Sequence, residues 1–181
     1  YVNGVKQDGI TIKTGDTVYT LVQEYLEANP SITAKWTTTT VDPKYSPLPA
    51  GSEAYILESM DGNGTVGYNS PVLEEYEYYD SDVDDPVLAQ ADKALKEKFP
   101  DSDGLGLWMG NGTGFSNDGP YAVYVGYAWT FTVNGSRPGI EITPDAEHPY
   151  NFFEYYMNEA FVKPGDIVEL KYDLNIEPYE Y

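Results

Sequence analysis

The chain has 181 residues, of which 41% are hydrophobic, so it is long enough to bury a sizeable core within one domain. Thirty acidic residues against ten basic ones give a formal net charge of −20. Because nucleic acids and anionic lipid surfaces are bound by clustered Lys and Arg, this charge argues against both as partners. No apolar run approaches the roughly 20 residues that span a bilayer, so no membrane insertion is predicted within this chain.

The absence of cysteine points to a compartment. Stability must come from the core and not from disulfides, which fits a surface protein of a Gram-positive bacterium better than a small eukaryotic secreted module. An acidic surface fits the same setting, because it keeps a protein soluble outside a cell. The chain starts at Tyr1 without an initiator Met or a basic, apolar signal, and we interpret it as a mature or a trimmed fragment. We therefore predict an extracellular protein, either displayed on the bacterial cell surface or secreted.

The N-terminal third predicts a hairpin, a helix and two strands in that order. Residues 1–12 alternate around an Asn-Gly and an Asp-Gly pair, which is typical of a short hairpin. Asp16 is the predicted N-cap of a helix over residues 17–28, whose apolar side chains recur at helical spacing up to an Asn-Pro pair. Residues 32–41 and 54–60, bounded by turn residues, predict the two strands.

Residues 66–120 are predicted to be an insertion. Seven of the twelve positions from Glu74 to Asp85 are acidic, which indicates a solvated stretch. A second helix is predicted with Asp85 as N-cap and Pro86 in its first turn, ending at a Phe-Pro pair. The six glycines between residues 104 and 119 predict sharp turns among large apolar side chains.

The last third predicts strands joined by turns. Residues 121–133 alternate as one long strand, or as two short strands broken at Gly126. A Pro-Gly turn at residues 164–165 then leads into a final strand over residues 167–174.

Parts of this pattern resemble a known family. The segment from Gly15 to Leu21 opens a helix, Trp129 to Gly135 runs into a turn, and Val162 to Asp166 enters the closing strand. Together they resemble the transcobalamin-like C-terminal domain over roughly residues 1–65 and 121–175. The resemblance implies an α+β fold, with a β-grasp-like mixed sheet packed on one main helix. Residues 1–181 would then form a single domain, with an inserted helix and Gly-rich loops in the insertion.

The family's ligand is not carried over with its fold. In the vitamin B12 carriers, cobalamin is held between this domain and a large helical domain that is missing here. Function follows from a site and not from a fold, so we do not predict cobalamin as a cofactor.

The chain offers no catalytic constellation. A Ser or Cys nucleophile needs a nearby base, and the chain has one histidine, His148, and no cysteine. His148 lies in a turn-like polar string and cannot assemble a zinc site alone. With thirty acidic residues, a pair of carboxylates facing each other in a cleft could hydrolyse glycosides, but no motif singles out one pair. We therefore predict a protein that is not an enzyme, and the alternative is a hydrolase that uses such a pair.

Calcium is the metal that the sequence brings into consideration. Hard cations take several oxygen ligands from short acidic loops, and alternate positions carry oxygens at Asp80, Asp82 and Asp84. A similar string lies at residues 61–65. Neither completes an EF-hand loop, and the alternative interpretation of the Asp string is an acidic lead into the second helix.

Aromatic residues are the second group of candidates. Trp108, Phe115, Tyr121 and Tyr127 lie in or beside the Gly-rich region, where the backbone can approach a ligand. Exposed rings stack on sugars or dock on protein partners. The alternative interpretation is that these rings belong to the core.

The sequence thus favours a non-enzymatic surface module for adhesion or for recognition of a protein or glycan partner. Its specificity would reside in residues 66–120, because binding varies in the parts that a common scaffold does not demand. The alternative function is a small-molecule carrier, for example of a corrinoid-like ligand, with the four aromatic residues as its pocket wall.

Overall fold

The computed structural model describes residues 1–60, 77–79, 85–109, 112–116, 119–143 and 151–180. Within these ranges the chain has helices and mostly antiparallel strands, so the predicted α+β class is confirmed. The elements are α1 (Val18–Ala28), β1 (Ala34–Thr40), β2 (Glu53–Met60), β3 (Glu77–Tyr78), α2 (Pro86–Lys98), β4 (Leu105–Met109), β5 (Thr113–Ser116), β6 (Tyr121–Val133), β7 (Gly139–Glu141), β8 (Phe152–Glu154) and β9 (Val168–Glu180). In the described part of the chain, neither helix is long and apolar enough to cross a bilayer.

The strands form three sheets within the described ranges. β1 pairs with β2, β7 pairs with β8, and the third sheet has the order β3-β4-β5-β6-β9. The strand predicted at residues 121–133 is continuous through Gly126. The predicted final strand is confirmed and runs on to Glu180.

The chain folds into two compact units. Unit 1 comprises Tyr1–Thr65 and Trp129–Tyr172, and unit 2 comprises Val66–Ala128 and Asp173–Tyr181. Unit 2 begins where the predicted insertion begins, but it also takes residues 121–128 and the C-terminal segment. The reason is that β6 and β9 each continue from one unit into the other, which alternation within one strand cannot reveal.

Helix α1 begins one residue later than predicted. Its N-cap is Thr17, whose hydroxyl accepts the backbone N–H of Thr20 at 3.3 Å, while the Thr20 hydroxyl accepts the backbone N–H of Thr17 at 2.9 Å. The carboxylate of Asp16 instead closes the preceding turn, accepting the backbone N–H of Lys13 at 2.6 Å. The prediction of Asp16 as the cap was wrong because Thr17 is the extended residue that directly precedes the helix.

The predicted apolar face of α1 packs on the core of unit 1. Val18, Leu21 and Val22 are buried, and Asn29 ends the helix as its C-cap. Their buried partners come from β2, β6, β9 and the turn after β8. These partners are Leu57, Met60, Trp129, Met157, Ala160, Val162 and Leu170.

The predicted N-terminal hairpin is replaced by a tight turn at Asn3-Gly4, closed by a bridge, and a second turn at Asp8-Gly9 without flanking strands. Asn3 and Gly4 have φ values of 47° and 76°, and Val2 and Val5 exchange two backbone hydrogen bonds of 2.9 and 3.0 Å. Val2 also bridges Leu170 of β9 in the parallel direction. The second half of the predicted hairpin forms no strand, and its isoleucines pack on the core of unit 1 from an irregular segment.

Unit 2 is organised around α2, which begins as predicted. The carboxylate of Asp85 accepts the backbone N–H groups of Val87 and Leu88 at 2.9 and 3.2 Å, and Pro86 occupies the first turn. The buried stripe of the helix packs against apolar side chains of β4 and β6. The cluster consists of Leu88, Ala91, Leu95, Leu105, Trp108, Val123 and Val125.

Two turns of unit 1 are joined by a side-chain clamp. The amide of Asn134 donates to the Asp166 carboxylate at 2.9 Å and accepts the backbone N–H of Ile167 at 2.9 Å. The second oxygen of Asp166 accepts the backbone N–H of Lys163 at 2.9 Å. These bonds hold the pKa of Asp166 below its ordinary value, and the bond from Asn134 has the larger effect.

We expect Asn134→Gly to raise the pKa of Asp166 toward its ordinary value, since Gly keeps the positive φ of 54° but removes the amide. Because the folded pKa is depressed, the clamp stabilises the fold above the unfolded pKa and is lost as pH falls through the folded pKa. Carboxyl NMR titration measures the change. The matched control is Asn3→Gly, at the other positive-φ asparagine among the described residues, which should leave the Asp166 titration unchanged.

Candidate functional site

The four aromatic residues singled out in the sequence do not share one surface. Trp108 is fully buried in unit 2, and Tyr121 stacks on Phe99 with ring centroids 4.6 Å apart. Tyr127 is 40% exposed. In the strand register, Phe115 lies opposite Leu107 and Ala122. Trp108, the residue after Leu107, lies opposite Gly114. Since neighbours along a strand face opposite sides, Phe115 and Trp108 lie on opposite faces of the sheet.

Trp108 is a core residue of unit 2 and lines neither of the two cavities described below for unit 1. A Cβ atom at Gly114 would overlap the side chains of Leu105 and Trp108. This glycine thus makes room for the indole inside the protein, and not for a ligand outside it.

The acidic candidates for calcium, Asp80, Asp82 and Asp84, lie outside the described residues, as do residues 61–65 and His148. Among the residues that are described, no group of three or more His, Cys, Asp or Glu side chains is placed to hold a metal ion.

An aromatic cavity of about 300 Å³ lies in unit 1. Its walls come from β2, from the unit 1 end of β6, from the chain entering β7 and from the residues that follow β8. The aromatic residues lining it are Tyr55, Trp129, Phe131, Tyr155 and Tyr156. None of the four aromatic residues predicted from the sequence lines this cavity.

An ion pair lies among the lining residues of the aromatic cavity. Nη1 of Arg137 lies 2.8 and 3.1 Å from the two carboxylate oxygens of Glu154. The two side chains remain 42% and 50% exposed, so a ligand in the cavity can reach both. The guanidinium supplies only hydrogen-bond donors and the carboxylate only acceptors, so the pair offers both kinds of group.

The pairing of β7 with β8 brings this ion pair together. Gly139 lies opposite Glu154 in the antiparallel register, and the backbone N–H of Tyr155 donates to the carbonyl of Pro138 at 2.9 Å. A Cβ atom at Gly139 would overlap the carbonyl oxygen of Phe153. Glycine is therefore required for the close approach that positions Arg137 beside Glu154.

Side-chain hydrogen bonds hold the wall formed by residues 155–159. The Asn158 amide accepts the backbone N–H of Tyr55 at 2.9 Å and donates to the carbonyl of Glu53 at 2.8 Å. It thus bonds the backbone of β2 in the way that the backbone of a neighbouring strand does. The carboxylate of Glu159, only 1% exposed, accepts the backbone N–H of Tyr156 at 2.8 Å. The Asn158 bonds fix the wall against β2, and the Glu159 bond holds its internal turn.

Ring contacts support the aromatic lining from behind. Tyr55 stacks on Tyr19 with ring centroids 4.5 Å apart, and Trp36 meets the same Tyr19 ring edge-on at 5.0 Å. Burial, and secondarily the neighbouring Tyr55, raises the pKa of Tyr19 above its ordinary value. Trp129 packs on Tyr172 at 5.4 Å. The cavity is thus preformed by packed rings.

Sequence reasoning missed the aromatic cavity, although two signals were present. The crowd of aromatic residues after position 150 was visible, and Arg137 is the only arginine in the chain. An isolated arginine beside a turn draws attention because its planar donor group suits directed recognition. Neither signal shows that Tyr55, about 100 residues away from Tyr155, lines the same cavity.

Comparison of the chain with protein-family models, with curated proteins and with solved structures gives no match. The geometry of the aromatic cavity is therefore the basis for a functional assignment.

Proposed function

We propose that the protein is a non-enzymatic binding module that recognises a neutral glycan through the aromatic cavity of unit 1. The observation that carries this proposal is the combination of five aromatic side chains with the Arg137–Glu154 ion pair in one cavity. Of the two predicted kinds of partner, a protein or a glycan, the proposal keeps the glycan.

The lining of the aromatic cavity matches the two surfaces of a sugar ring. A pyranose presents C–H groups on its faces, which pack on aromatic rings, and hydroxyl groups around its rim. A guanidinium donates to hydroxyl oxygens, while a carboxylate accepts from O–H groups. The Arg137–Glu154 pair can satisfy both roles of a hydroxyl group, and this favours a sugar over a purely apolar ligand.

Size and charge narrow the ligand further. A volume of about 300 Å³ is at the small end of the roughly 300–1,000 Å³ typical of ligand pockets, which suits one terminal or branching sugar residue. The formal charge of −20 repels acidic polysaccharides, so the ligand we propose carries no net charge.

The extracellular bacterial location and the transcobalamin-like, β-grasp-like scaffold belong to the same proposal. The parallel bridge between Val2 and Leu170, with α1 packed on the core behind it, supports a β-grasp-like arrangement in unit 1. The acidic composition and the absence of cysteine support display outside the cell.

A printed glycan array tests this proposal with the full chain. We expect the labelled protein to bind neutral oligosaccharides, such as glucans, mannans, galactans or N-acetylglucosamine oligomers, in preference to sialylated and sulfated ones. Isothermal titration with the strongest neutral oligosaccharide then measures the affinity. Retention of acidic glycans alone, or of no glycan at all, would contradict the proposal.

A further inference from the structure

We propose that unit 1 contains a second binding site, for an uncharged apolar small molecule, in a cavity of about 450 Å³ between α1, residues 6–12 and residues 164–170. This apolar cavity is distinct from the aromatic cavity, since no residue lines both. Its volume falls within the range of small-molecule pockets.

The floor of the apolar cavity is hydrophobic and nearly closed to solvent. Val18 and Val22 of α1 are 0% and 5% exposed, and Leu170 of β9 is 3% exposed. The walls add Ile10, Ile12 and further aliphatic side chains. Because most of the lining is apolar, an apolar molecule that covers it is bound favourably.

Three charged groups line the apolar cavity: Lys6, Asp166 and the N-terminal ammonium of Tyr1. Lys6 is 71% exposed, Asp166 is held by its bonds from Asn134 and Lys163, and the ammonium donates to the carbonyl of Val168 at 2.7 Å. None of the three is a buried, unengaged partner for a charged group inside the cavity. A charged ligand would lose its hydration without compensation, so the site favours an uncharged ligand.

Residues 6–12 form the roof of this cavity and provide its entrance. Within the described part of the chain, their backbone groups make no hydrogen bond with other protein groups, and the Gln7 side chain donates to the carbonyl of Val5 at 2.9 Å. Ile10 and Ile12 hold the segment by packing on the core. The cavity is also partly open to solvent, so a ligand can enter beside this segment, which adjusts at low free-energy cost because it has few protein hydrogen bonds.

The neutral fluorophore N-phenyl-1-naphthylamine tests this site in the full chain. We expect saturable binding with increased fluorescence, displaced by decanol and much less by decanoate. Val22→Phe, which fills the cavity from its floor, should weaken binding about tenfold or more, equivalent to at least about 1.4 kcal/mol. Leu26→Phe is the matched control, because Leu26 is on the same helix but does not line the cavity.

Two further variants make the result decisive. Ile12→Trp fills the cavity from the roof and replaces Val22→Phe if circular dichroism shows that the latter does not fold. Arg137→Gln should leave fluorophore binding unchanged, which separates this site from the aromatic cavity. Non-saturable binding, equal affinity in the folded filled variants, or equal displacement by decanoate would overturn the inference.

Discussion

Trp108→Ala is expected to lower the free energy of unfolding of unit 2 by about 3–5 kcal/mol, the usual cost of truncating a buried Trp. The indole is 0% exposed and lies in one cluster with Leu88, Leu95 and Val125. Gly114 leaves no side chain that could collapse into the space vacated by the ring. The cavity would therefore remain largely open, and its cost adds to the lost burial.

Hydrogen exchange followed by mass spectrometry measures this effect. Peptides from α2 should lose protection in Trp108→Ala, while peptides from α1, whose buried face belongs to the other core cluster, serve as the reference. Trp108→Phe is the matched control and should lose less protection. Unchanged exchange in α2 would show that Trp108 does not support this core.

Arg137→Gln is expected to weaken binding of the neutral oligosaccharide about tenfold. Hydrogen bonds to charged groups contribute roughly 1.5–3 kcal/mol, and the half-exposed position of the pair places the effect at the lower end. Gln keeps a donor but loses the planar charged group that holds Glu154. Isothermal titration of the folded variant measures the affinity.

The matched control for Arg137→Gln is Lys35→Gln, which removes another exposed ion pair of unit 1, with Glu58, outside the aromatic cavity. Its affinity should equal that of the wild type. If Arg137→Gln also bound with wild-type affinity, the ion pair would have no part in recognition.

Local chemistry in the sequence was a good guide to individual elements. The apolar spacing of α1, the Asp85 cap of α2 and the long strand β6 all depend on residues within one or two turns or one strand. Errors arose where neighbouring residues competed. Thr17 took the cap position next to Asp16, and the isoleucines of residues 6–12 packed on the core without forming a strand.

The site was harder to predict because it is assembled across the chain. Tyr55 and Tyr155 lie on the same cavity, and the Asn158 side chain joins their segments by bonds to Tyr55 and Glu53, a contact between distant parts of the chain that no local pattern encodes. The Gly-rich region was misleading because a glycine can make room either for a ligand or for a side chain of the protein itself. At Gly114 it makes room for the buried ring of Trp108.

Carbon-13 NMR of the tyrosine rings, recorded as the strongest neutral oligosaccharide is added to the full chain, tests glycan recognition most directly. The proposed site predicts saturable shifts of Tyr55, Tyr155 and Tyr156, which line the aromatic cavity. Shifts confined to Tyr124 and Tyr127, the exposed tyrosines on β6 in unit 2, would place the ligand elsewhere and contradict the account.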